Sequence, residues 1–372
     1  MNNLLTTEKK ITQLILSGQE KNVELAFELM QGQGIETLAI NQEFEALNSW
    51  LNLYNKGVKE SVGSKELIIH LFQIEELDLY NNQLQFIPDA IQLLVNLKKL
   101  DLYNNQLQRL PSSLGQLIRL EILDLSENQL EAIPLELGKL LRLKELDLCN
   151  NQLKTLPPNL GELTCLEVLN LDDNLLQTLP DDFGKLIGLQ RLELSNNQLQ
   201  QIPDSFEHLI HLKELNLDNN QLQTLPSIFE TLLHLERLDL SENQLREIPP
   251  SFGKLVNLVL VSLRDNQLEH LPDSFGALVH LGSLDLSNNR LQSIPASLGN
   301  LNHLKLLQLN NNQLQQLPEN LGNLTNLELI NYHDNPLQYI PISLKKVLSS
   351  QKMKELMKQM SPTLYKPHKP QA

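Results

Sequence analysis

A unit of 23 residues recurs twelve times in register between Ile74 and Ser349. Residues 120–142 read LEILDLSENQLEAIPLELGKLLR, and residues 235–257 read LERLDLSENQLREIPPSFGKLVN. One such unit cannot bury a core alone, so the copies must stack, each against its neighbours. Within a copy, positions 4 and 6 are apolar on either side of a polar residue, as in Leu123, Asp124 and Leu125. That is a period of two, which makes a short strand with one buried side. One strand per copy, always in the same direction, predicts a parallel sheet with neighbours ~4.8 Å apart. Position 9 is Asn in every copy, from Asn82 to Asn335, and position 15 is Pro in every copy, from Pro88 to Pro341. Asn carries a donor and an acceptor that can satisfy turning backbone in a dry interior. Proline has no N–H and a fixed φ, so it marks the chain leaving the sheet for its return.

The template LxxLxLxxNxLxx(I/L)Pxx(L/F)GxLxx resembles the leucine-rich repeat family, and more narrowly its 23-residue LPxxLG-type class. That class includes bacterial and Ras-group-related repeat proteins. The resemblance implies an α/β solenoid, a right-handed superhelix bent as a horseshoe, with a parallel β-sheet on its concave face. It also implies that the Asn column is a structural ladder, and that relatives act as scaffolds or regulators around signalling proteins. Position 18 carries five consecutive phenylalanines, Phe183, Phe206, Phe229, Phe252 and Phe275, read as an aromatic stack filling the return side. Position 19 is Gly in eight copies, which suits a tight or short helical turn.

A solenoid needs capped ends. Residues 1–73 read as a helical N-terminal cap, 74–349 as the repeats, and 350–372 as a basic helix end and tail. In the cap, one helix carries Leu4, Leu5, Ile11, Leu14 and Ile15. A second, capped by Asn22, carries Val23, Leu25, Ala26, Phe27, Leu29 and Met30. A third runs from about Glu36 to Tyr54, and residues 61–73 read as a half repeat. Residues 342–360 read as a basic amphipathic helix. From residue 350 onward there are five lysines against one glutamate, so this end could fold back onto an acidic face.

On the concave face, positions 2, 3, 5, 7 and 8 are not needed for folding and should report function. Position 5 opens with four aspartates, Asp78, Asp101, Asp124 and Asp147, and later carries Asp239. They form either a solvated face made by copying one unit or an acidic track for a partner with a basic surface. Arg191 and Arg237 offset the track in part. Tyr80 and Tyr103 at position 7 offer contact area at low entropic cost, either to a partner or to the cap. Leu260, Leu306 and Leu329 at position 3, beside Arg264, want a partner or a lid.

No phosphate-cradling glycine loop, GxSxG, HExxH or paired CxxC occurs. No cofactor or metal is expected. His211, His234, His280 and His303 recur at position 23 without a consistent third ligand. Two cysteines, Cys149 and Cys165, fit a reducing compartment and should not pair. A net charge of −15 argues against nucleic acid as the partner, and the absence of a long apolar run argues against membrane insertion. The reading is a monomeric, cytoplasmic, non-enzymatic module that binds a protein partner. The alternative is the recognition part of a bacterial effector or surface adhesion protein, exported without a visible signal.

Overall fold

The computed structural model describes residues 2–33, 35, 39–58 and 62–344. The expected basic helix beyond Leu344, and the tail, lie outside these residues. The chain forms two compact units, Met1–Glu193 and Leu194–Ala372. In the first, four helices precede the sheet: α1 Asn2–Ile15, α2 Glu20–Gly32, α3 Ala39–Leu53 and α4 Ser64–Phe72. Six strands follow, β1 Glu76–Asp78, β2 Lys99–Asp101, β3 Ile122–Asp124, β4 Glu145–Asp147, β5 Val168–Asn170 and β6 Arg191–Glu193. The second unit holds β7 Glu214–Asn216, β8 Arg237–Asp239, β9 Leu260–Ser262, β10 Ser283–Asp285, β11 Leu306–Gln308 and β12 Leu329–Asn331. Within each unit, neighbouring strands are parallel and offset by one repeat, as in Leu100↔Leu123 and Leu238↔Val261. Both units are built of leucine-rich-repeat solenoid coils, the first behind a helical N-terminal cap, as the resemblance implies.

One repeat shows how the sequence makes the coil. Leu120, Leu123, Leu125, Leu130, Leu137 and Leu140 are wholly buried, and Ile133 nearly so. Each contributes ~1.5–3 kcal/mol by leaving water. After the proline, a five-residue 3-10 turn such as Leu135–Lys139 carries the chain back. The five phenylalanines are all fully buried there. Phe252 stacks on Phe275 with ring centroids 5.1 Å apart and planes 6° apart.

The coil departs from the sequence reading at positions 8 and 5. Glycine at position 19 does sit in a short helical turn, such as Ser112–Gln116, and it also permits close approach: a Cβ on Gly115 would lie 2.2 Å from the carbonyl oxygen of Glu136. Position 8 is a folding position. All twelve of its residues, from Asn81 (φ 56°) to Asp334 (φ 57°), sit in the left-handed region. Asn, Asp and Glu are the only types there, and the first two tolerate that geometry best.

In the cap, α2 begins at Glu20, after Gln19. Asn22 does not cap it: its Nδ2 donates to Ser17 Oγ at 3.0 Å. The helix buries Val23, Ala26 and Met30, while Leu25 and Leu29 are exposed. Residues 64–72 form a helix whose Ile68 and Leu71 are fully buried. Phe72 meets Phe44 of α3 edge-on at 5.5 Å. Asn96 fastens this cap to the first repeat, donating to the carbonyls of Gly18 (2.9 Å) and Phe72 (2.8 Å).

Candidate functional site: the open face of the sheet

Strand residues alternate exposed or half-buried, buried, exposed or half-buried, so positions 3 and 5 point away from the core. In the first unit, the pairing sets Asp78 beside Asp101, Asp101 beside Asp124, and Asp124 beside Asp147. The four carboxylates therefore lie in one row. Burial first, and then the charges of Asp124 and Asp78, push the Asp101 carboxyl above its usual range, against a hydrogen bond from the Tyr103 N–H. Burial leads again for Asp147, with Asp124 adding to it.

The expectation that nothing in the fold demands these aspartates is corrected. The N–H of Tyr80 donates to Asp78 Oδ1 at 3.2 Å, and that of Tyr103 to Asp101 Oδ1 at 3.0 Å. Ser126 and Cys149 do the same to Asp124 and Asp147, both at 2.9 Å. The side chain at position 5 thus closes the strand exit, which β pairing alone leaves open. Asn170 and Asn216 make the same bond from their amide oxygens. For this bond an amide oxygen serves as well as a carboxylate, so the negative charge of the four aspartates is additional to it.

Tyr80 is 52% exposed and Tyr103 36%. Neither is sealed beneath the cap. The cap does reach this end: Lys56 lies 3.7 Å from Asp78. Glu127, with burial and then Asp124 behind it, raises the Tyr103 phenol. Sequence reasoning passed over Ile122 and Val168, which sit half-buried at position 3 on this same face. Arg191, at the other end, is held by Glu193 at 2.7 Å.

The second unit is mixed. Arg237 lies 3.7 Å from Glu214 and beside Leu260 in register. Arg264 is clamped by Glu242 and Asp265, both at 2.7 Å. Asp239 accepts the N–H of Ser241 at 2.9 Å. Leu306 lies beside Leu329, but Ser283 separates it from Leu260. Leu260 and Leu306 are each 38% exposed, and Leu329 is half-buried. The three leucines are therefore not one patch.

Asp218 was not singled out from sequence. Burial, then Asp239 and Glu242, push its carboxyl up to about 6, with Arg264 opposing. A carboxyl raised in the folded state from 3.8 contributes stability in full below that value and loses it as pH rises through about 6. Asp218→Asn should therefore raise the melting temperature at about pH 8. The gain should shrink to nothing near pH 4, read by thermal melts across that range.

Other groups do not converge. Cys149 is half-buried and its thiol is pushed up to about 12, by burial first and then by Asp147 and Asp172. Cys165 is exposed, and both thiols are free. His211 faces His234 at 6.4 Å, and His280 faces His303 at 5.7 Å. Among the described residues, no group of three or more His, Cys, Asp or Glu could hold a metal ion. No described helix is long and apolar enough to cross a membrane.

The chain belongs to the leucine-rich repeat family. The Leucine rich repeat pattern matches residues 118–176, 164–222, 210–268 and 233–291. A two-copy form of it matches 95–139, and the single repeat matches 73–94. The solved leucine-rich-repeat protein of Leptospira interrogans is 33% identical, with a TM-score of 0.62 over 77% of this chain and 81% of that one. The Arabidopsis receptor kinase HAESA was solved with the peptide hormone IDA and the co-receptor SERK1. It is 30% identical, with a TM-score of 0.62, and the match covers 80% of this chain and 53% of the receptor. An internalin of Listeria monocytogenes, at 22% identity and a TM-score of 0.53, shares the fold over 80% of this chain and 99% of its own. A comparison with curated proteins returns no match.

Proposed function

We propose that this protein is a non-enzymatic interaction module that binds a protein partner with a basic surface on the open face of its sheet. The carrying observation is the row Asp78, Asp101, Asp124 and Asp147, flanked by exposed Tyr80 and Tyr103. The fold needs an oxygen at these positions and Asn supplies one elsewhere, so the charge is surplus to folding and available for recognition. Carboxylates set side by side on neighbouring strands repel one another, and that repulsion is relieved when a cation arrives. HAESA, a structural neighbour, was solved in complex with a peptide hormone and a co-receptor. The same reading takes the repeats as the LPxxLG-type class and the chain as a monomeric, cytoplasmic scaffold in signalling that does not bind nucleic acid. The divisions 1–73, 74–349 and 350–372 belong to this reading.

Two variants test it. Changing the four aspartates to asparagine removes charge and keeps the strand-exit bond, so the fold stands. Protein captured from host lysate by the native chain should be lost on that variant, and undiminished capture would overturn the basic-partner reading. Against the captured partner, Tyr80→Ala with Tyr103→Ala should weaken binding about tenfold or more. The melting temperature should barely move. A large stability loss with unchanged affinity would assign both rings to the cap.

A further inference from the structure

The first unit has a second candidate surface, away from the row of aspartates, that carries two arginines. A half-open cavity of about 360 Å³ lies where the end of α1 and the start of α3 meet the returns of the first two repeats. Its floor is apolar: Leu93 is 1% exposed and Ile40 is 9%. Leu16 and Ile118 form the rim, with Ile118 60% exposed. One repeat further on, at the same position of the unit, Leu141 is 55% exposed. The residue after each of these two aliphatics is an arginine, Arg119 and Arg142.

Neither guanidinium has an ion pair among the described residues. Glu121, the nearby carboxylate, is taken by Lys144 at 2.7 Å. Arg119 is nevertheless held in place. Its Nη1 donates to Asn96 Oδ1 at 2.6 Å. The same Asn96 spends its Nδ2 on the carbonyls of Gly18 and Phe72. Gly18 has φ 70°, and a Cβ there would lie 2.7 Å from Val95 and 2.8 Å from Asn96 Oδ1. The bond that docks the cap therefore also aims Arg119 at the mouth of the cavity. Glu43 lines the cavity too, so it carries opposite charges on its two sides.

We propose that this cavity and the Ile118–Leu141 ridge dock an acidic amphipathic segment of a partner protein. A bulky apolar side chain enters the cavity, and carboxylates one helical turn away pair with Arg119 and Arg142. The cavity has the size of one large side chain with room to spare, within the range of small binding pockets. Adjacent repeats lie ~5 Å apart, near the ~5.4 Å rise of a helical turn, so successive turns can follow successive repeats. Arginine suits the anion because its planar fork grips a carboxylate in two bonds. An acidic segment is repelled by the aspartate row on the sheet, so the two surfaces sort partners by sign. The proposal does not depend on the reading of that face.

The probe is a fluorescent helical peptide of glutamates with leucine at every fourth position and one photo-crosslinking phenylalanine. A lysine-for-glutamate peptide and a serine-for-leucine peptide accompany it. On the full chain, only the acidic, leucine-bearing peptide should bind, with crosslinks to residues 92–95 or 116–119. Arg119→Glu with Arg142→Glu should weaken it about tenfold or more. Ile118→Asp should do the same, while the four-aspartate variant of the sheet should leave it unchanged or tighter. Circular dichroism of each variant checks that it is folded. Equal binding of the lysine peptide, indifference to the arginine pair, crosslinks elsewhere, or no binding up to ~1 mM would each overturn the proposal.

Discussion

Replacing Asn151 with alanine should cost several kcal/mol and loosen the coils on both sides of it. The side chain is 7% exposed and fully used. Its Nδ2 donates to the carbonyls of Leu125 (3.0 Å), Leu148 (3.0 Å) and Cys149 (3.2 Å), and its Oδ1 accepts the N–H of Leu130 at 3.0 Å. Two of these groups belong to the preceding repeat. Alanine strands them all in a dry interior, at ~1–3 kcal/mol for each group left unpaired. Asn82→Ala is the control. That residue has no preceding repeat to serve, is half-buried, and donates to Tyr80 O at 2.8 Å. It should cost ~1 kcal/mol or less. Urea melts give the totals, and hydrogen exchange should show protection lost first at β3 to β5. Equal losses at both sites would mean that the column does not join neighbours.

Phe252→Ala should be comparably damaging, by ~3–5 kcal/mol. The ring is fully buried, 6.1 Å from Phe229 and 5.1 Å from Phe275 between centroids. Alanine leaves a void that its stacked neighbours cannot close without leaving their own rotamers. Phe252→Leu should cost far less, because Leu298 and Leu321 fill the same column fully buried. The comparison is read by thermal melts of the two variants. A similar loss for both would point to ring stacking and not to filled volume as the source of stability.

Much of this was legible because the copies act as internal replicates. The strand, the Asn column and the phenylalanine stack are each set by residues that repeat at one position for one physical reason. Positions 5 and 8 were misread for the same cause. Asp, Asn and Glu there look like solvated surface residues. Only backbone geometry reveals that one accepts an N–H at the strand exit and the other holds φ near 50°. The restriction of position 8 to three residue types was the available signal. Glycine at position 19 sits in the short turn that the pattern suggests, but its second constraint, the next coil's carbonyl, is not visible within one copy. The cavity beside the cap could not be seen at all, since it is lined by the turn after α1, by α3 and by two repeats, which no single period connects.

The Asn amide reaches back 26 residues to a carbonyl and is met by an N–H from 21 residues back. What each coil asks of its predecessor is therefore only that it be another coil of the same kind. Recombination that joins one copy to any other leaves every bond across the seam closed, whereas a break out of frame by a single residue leaves a whole set open. Such a gene can lengthen or shorten in whole turns at little cost to folding, and each new turn arrives with a fresh stretch of surface to diversify.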